Sequence, residues 1–142
     1  RIEELCASNG IAGQVAFPGR VVRRQAAELM RAADVFVHHS VTGSDGDMEG
    51  IPTVIMEAMS TGLPVVSTRH SGIPELVDHG REGFLVGERD VEGYAAALLS
   101  FRTADPAMVT NARRKIEEKF NIAVQNTELK RIYRRAIDES VA

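Results

Sequence analysis

Cysteine is nearly missing from this sequence. One residue in 142, Cys6, excludes an intrachain disulfide, a CxxC redox pair and a multi-cysteine zinc site. No apolar run approaches the roughly 18 residues that a membrane-crossing helix needs. Excess basic charge is lacking too: 17 Lys and Arg against 20 Asp and Glu give a net charge of −3. That balance does not suit a nucleic-acid binder. Neither GxGxxG nor GxxxxGK[ST] occurs, so dinucleotide and P-loop fingerprints are both absent. No serine sits in a nucleophile elbow with His and Asp in triad order. There is no internal repeat and no low-complexity linker, and neither a signal-peptide pattern nor an initiator Met is visible, although a removed signal peptide would leave no trace. What is present is 44% hydrophobic and 26% charged, the make-up of one globular domain with a core.

The opening RIEELCAS reads as a helix stopped by Asn9-Gly10, which predicts a chain that begins inside a larger protein. Strand and helix signals then alternate. Short apolar runs at 15–17, 35–37, 65–67 and 84–86 predict strands, and residues 21–33 a helix. Pro52 suits the first turn of a helix reaching Ser60, and Pro74 that of a short one ending at Val77. Three helices follow, at about 90–101, 106–119 and 122–138. Asn121 is placed to cap the last. Its stripe Ile122, Leu129, Ile132, Tyr133 and Ile137 predicts docking on the body of the domain rather than on a membrane.

Such βα units imply an α/β fold with a parallel sheet, and ligands in these folds bind beyond the C-terminal ends of the strands. The polar loops 38–50 and 68–75 fall there. Gly43, Gly46 and Gly50 allow sharp turns and close approach, and the helix start at 51–54 offers N–H groups and a dipole to an anion. The same glycines also fit an ordinary loop before a helix. Glu49 and Glu57 are separated by seven residues and can each accept hydroxyl hydrogen bonds, as from a sugar or ribose diol. The plainer alternative makes Glu49 a cap and Glu57 an exposed helix residue. His38, His39 and His70 border the same region. His38 and His39 should point apart in extended backbone, which argues against a shared metal. Ser40 is placed to order the loop. Glu75 fits a structural or a ligand-facing role equally.

The stretches ADVFVHHS, GDMEGIPTVIMEAMSTGLPVVST, SGIPELV and GFLV closely resemble the C-terminal domain of retaining glycosyltransferases of family 4, which have the GT-B fold. The variant GDMEGIPTVIMEAM looks like bacterial exopolysaccharide and colanic-acid transferases. His39 stands where many relatives have Pro. The resemblance covers almost the whole chain. It implies an incomplete Rossmann-like domain spanning 1–142, with an N-terminal acceptor domain absent. It also implies strand order 3-2-1-4-5-6 in the complete domain, with the four runs here as strands 3, 4, 5 and 6. The run at 15–17 would then pair with Val35–Val37, pair with another chain, or rest on helix contacts alone.

By resemblance, the donor is a nucleotide-diphosphate sugar and no metal or other cofactor is used. Glu49 would bind and position the transferred sugar, the catalytic role. Gly46, Asp47, Met48, Gly50, Ile51 and Thr53 would line the donor site, with backbone amides meeting the diphosphate. Glu57 would hold the ribose. Gly19 and Arg20 would lie near the base. Asp45-Gly46-Asp47 also matches a DxD metal motif of another transferase class, but its surroundings fit the metal-free family better. The acceptor, a glycan or lipid-linked sugar, would bind the absent domain. The complete enzyme would be cytoplasmic or membrane-associated, and this fragment alone inactive and either self-associating or partly disordered before residue 34. The alternatives are a sugar-nucleotide-binding module without turnover and a scaffold domain.

Overall fold

The computed structural model describes residues 1–141. Helix α1 (Ile2–Ser8) ends at Asn9, as the sequence predicts, and a single 3-10 turn follows at Ala12–Gln14. Residues 15–17 form no strand, which corrects the expectation. Val15 keeps extended angles (φ −120°, ψ 124°), yet no strand runs beside it. Val15 and Phe17 remain 37% and 46% exposed. Without a ladder partner, an apolar triplet leaves its backbone polar groups to water and gains nothing from sheet geometry. The chain then enters α2 (Arg23–Ala32), where Gln25 Oε1 accepts a hydrogen bond from the Val22 N–H at 3.1 Å.

The sheet holds three parallel strands, β1 (Phe36–Val37), β2 (Val65–Thr68) and β3 (Gly83–Val86), in that order. Phe36 pairs with Val65, and Val65 with Gly83. All four residues of β2 are buried, so the central strand is covered on both faces. Helix α3 (Thr53–Ser60) joins β1 to β2 and buries Ile55, Ala58 and Met59. The short α4 (Ile73–Leu76) adds Ile73 and Leu76 to the same core, beside Val65, Val77 and Leu85. Helix α5 (Val91–Ser100) packs on β2 and β3.

Helix α6 (Ala107–Lys115) packs on α3 through Ala112. Its end is anchored by Lys115, which donates to Asp78 at 2.9 Å and lies 3.6 Å from the buried Glu82. The expected helix to residue 119 changes at Ile116–Phe120 into a π-helical turn. Asn121 caps α7 (Ile122–Val141), its Oδ1 accepting from Ala123 N and Val124 N at 2.9 and 3.1 Å. The expected docking of α7 is not found. Ile122, Leu129, Ile132, Tyr133 and Ile137 are all exposed, and among the described residues α7 packs chiefly on the π-helical turn before it. Among the described residues, no helix is long and apolar enough to cross a membrane.

Candidate functional site

Parallel pairing brings the C-terminal ends of β1, β2 and β3 to one edge, so the loops starting at His38, Arg69 and Gly87 meet there. The first loop is fixed at its root. The Ser40 N–H donates to Thr68 Oγ1 at 3.0 Å, and the Thr68 hydroxyl donates to Ser40 O at 2.6 Å. Two reciprocal bonds between buried residues clamp this loop to the end of β2, in line with an ordering role for Ser40. Further along, the loop folds on itself. Gly43 N donates to Asp47 O at 2.8 Å, and Asp45 Oδ1 accepts from Asp47 N at 3.1 Å. Gly46 takes φ +83° at the tip, a conformation that a side chain would strain.

Gly46, Asp47, Met48, Glu49 and Gly50 are all exposed along this loop. Glu49 is oriented from below, its Oε2 accepting from Ser40 Oγ at 3.3 Å and lying 3.7 Å from His38 Nε2. His38 Nε2 is itself buried and makes no hydrogen bond. His39 points elsewhere, toward a largely apolar cavity of 350 Å³ that it shares with Thr68, Arg89 and Tyr94. His70 turns to Glu88 instead. Each histidine thus has a separate environment, and among the described residues no three metal-ligating side chains gather.

Immediately after Glu49 the chain enters α3. Ile51 packs on the core, Pro52 is the N-cap and Thr53 opens the helix. No side chain caps this end. The Ile55 N–H turns back to Pro52 O at 3.1 Å, and the N–H groups before it have no side-chain acceptor, beside the exposed Gly50 and Thr53. Glu57 lies exposed on the same helix, while its neighbours Ile55, Ala58 and Met59 turn inward. The loop at 71–74 supports this start from behind. A Cβ on Gly72 would fall 2.6 Å from Ile51 Cγ1, so only glycine lets the two loops approach this closely.

Gly19 and Arg20 are not joined to this cluster. Both are exposed, and no hydrogen bond or ion pair among the described residues links Arg20 to residues 46–57. Arg20 instead lines a 510 Å³ cavity with Pro18 and the α2 residues Gln25, Glu28 and Leu29. Glu75 is exposed on α4 and makes no side-chain bond among the described residues.

Sequence reasoning missed the third loop. Glu88 accepts from Thr42 N at 2.9 Å and from Thr42 Oγ1 at 3.2 Å, and it lies 2.6 Å from His70 Nδ1. The bond to His70, followed by those from Thr42, holds the Glu88 carboxyl below its usual pKa. Thr42 and Glu88 stand 46 residues apart, and no motif joins them.

A parallel sheet with an open loop cluster at its C-terminal edge, followed by an uncapped helix start, is an α/β arrangement of the class that binds ligands at that edge. Comparison with solved structures narrows the class to the GT-B glycosyltransferase fold. Sucrose-phosphate synthase from Thermosynechococcus elongatus superposes with a TM-score of 0.78 at 26% identity, over 98% of this chain and 34% of that one. HepE of Anabaena in complex with UDP-glucose gives 0.74 at 24% identity, over 94% and 36%. The model of the family described as glycosyl transferases group 1 matches residues 1–103, and the chain belongs to that family. It is 48% identical over 119 residues to WcaL of Escherichia coli K12, provisionally named a colanic acid biosynthesis glycosyltransferase. It is 46% identical over 106 residues to the amylovoran biosynthesis glycosyltransferase AmsK of Erwinia amylovora. These matches cover 81% and 72% of this chain but only 29% and 26% of the relatives, so the chain spans less than a third of their length.

Proposed function

We propose that this chain is the donor-binding part of a retaining glycosyltransferase of family 4. The whole enzyme would move a sugar from a nucleotide-diphosphate sugar to an acceptor hydroxyl during exopolysaccharide synthesis. The observation that carries this reading is the order of groups along one exposed edge. A clamped loop presents Glu49, the uncapped start of α3 follows at once, and Glu57 is exposed farther along that helix. Sugar, diphosphate and ribose occur in that same order along a nucleotide sugar. The relatives named for colanic acid and amylovoran synthesis support the polymer, and the UDP-glucose complex of HepE supports the donor class.

The chemistry follows from charge. Breaking the bond between sugar and phosphate leaves negative charge on the departing diphosphate and positive character on the ring. Fixed N–H groups at Gly50, Ile51 and Thr53, with the α3 dipole, stabilise the first. Glu49 binds ring hydroxyls and sets the anomeric carbon against the acceptor. Gly46, Asp47 and Met48 shape the loop around the sugar, and Glu57 accepts from the ribose diol. Gly19 and Arg20 are assigned to the base side. This scheme calls for no metal. Residues 1–142 serve as part of a C-terminal Rossmann-like domain. The acceptor, a glycan or lipid-linked sugar, binds a preceding domain, in the cytoplasm or at its membrane surface. The 142-residue chain by itself is inactive and associates with a second copy through the free edge of β1.

In the full-length protein, Glu57→Gln is expected to weaken binding of a nucleotide sugar by about 1–3 kcal/mol, the range for losing a charged acceptor. Fold stability should hardly change. Unaltered affinity and turnover in a calorimetric and kinetic comparison would remove the ribose assignment. Glu49→Ala should lower turnover more than it lowers affinity for the nucleotide alone. Equal losses would make Glu49 a structural residue.

A further inference from the structure

Glu88 binds the loops of all three strands at once, although it lies outside the group that faces the donor. It follows β3, takes two bonds from Thr42 in the β1 loop and touches His70 in the β2 loop. Arg89, at φ +61°, reinforces the tie by donating from its guanidinium to Thr42 O at 3.1 Å. Thr42 is therefore held by its N–H, its hydroxyl and its carbonyl. Two residues earlier, Ser40 is clamped to Thr68 and donates to Glu49. The Ser40 pair ties the β1 loop to the end of β2, whereas the bonds of Glu88 and Arg89 join loop to loop. His70, 1% exposed, is packed tightly enough to fix the carboxylate that it touches.

We infer that Glu88, held by His70, is a positioning residue for sugar transfer: it sets the path of residues 41–50 so that Glu49 is presented in one place. The inference rests on the donor-site reading and adds to it a residue that touches no substrate. Glu57 stands on a helix packed into the core, so nucleotide binding should depend little on Glu88. Placement of the sugar should depend on it strongly.

The test uses the full-length protein, with UDP-glucose and GDP-mannose as probe donors and free UDP and GDP as probe nucleotides. Glu88→Ala is expected to speed amide exchange at Ser40 and Thr42 by about tenfold or more, with β2 amides unchanged. Turnover should fall on the order of 10–100-fold, the penalty for a misplaced reacting group. Affinity for the free nucleotide should change by less than about threefold. Thr42→Val keeps the backbone bond and should lose less turnover, while Thr42→Ser should be near normal. In a Glu49→Ala background, Glu88→Ala should cost little more, because both act at one point. Normal exchange at residues 40–42, normal turnover, or equal losses of turnover and nucleotide affinity in Glu88→Ala would overturn the inference. If Glu49→Ala and Glu57→Gln are themselves without effect, the donor-site reading fails, and the exchange arm still decides whether Glu88 holds the loop.

Discussion

Tyr94 shows how much a single side chain can report. Its hydroxyl donates to Val66 O at 2.8 Å, from α5 into the central strand, and burial pushes its pKa up to about 12. In the unfolded chain the phenol would ionise near its ordinary value of 10.0. Between those values the folded state holds the proton and the unfolded state has lost it, so stability falls as pH rises through that window. Absorbance titration should show one phenolate step near pH 12, and Tyr94→Phe should abolish it. The same substitution should flatten the alkaline loss of stability and cost about 1 kcal/mol at neutral pH, from the lost hydrogen bond. If the high-pH step survives in the variant, the assignment to Tyr94 is wrong. Glu88 runs with the opposite sign. Its depressed pKa favours the fold above the ordinary carboxyl value of 4.5, and that contribution is lost on acidification below it.

Among the elements, those with strong local chemistry were readable. Pro52 and Thr61-Gly62 bracket α3, and Asn121 caps α7 through its side-chain oxygen. The apolar runs at 35–37, 65–67 and 84–86 became β1 to β3 because each finds a neighbour in register. The identical signal at 15–17 failed, since a run of apolar residues says nothing about whether a partner strand exists. The stripe on α7 failed similarly: periodicity gives a face, not its covering. Glu49 and Glu57 stood out because both lie in one recognisable segment. Glu88 and His70 did not, because their bonds join loops distant in sequence. Contact between loops also makes Gly72 testable. Gly72→Ala should destabilise the protein by about 1–3 kcal/mol, since its Cβ meets Ile51 at 2.6 Å. Made on an Ile51→Ala background, the same change should cost much less in denaturant melts. Equal costs in the two backgrounds would show that this contact is not the cause.

At the scale of the molecule, β2 and β3 are well covered while β1 forms a two-residue edge with Val37 half exposed. Such an edge offers unpaired backbone groups to another strand. The 142-residue chain alone should therefore sediment as concentration-dependent assemblies, and Val37→Lys should return it toward a monomer. A monomer at high concentration without that substitution would contradict the proposed self-association.

The direction of the strands has one more consequence. The loops carrying Ser40, Glu49 and Glu88 lie at one end of the sheet, whereas Pro64 and the Asp78–Glu82 turn close the other, where Lys115 is anchored. Selection on what is bound and selection on persistence as a folded chain thus act on different residues. A lineage can vary the exposed Asp47 and Met48 at one end while Lys115, Glu82 and the α3 interior stay as they are. Divergence in this chain should be written on one end of the sheet and silent at the other.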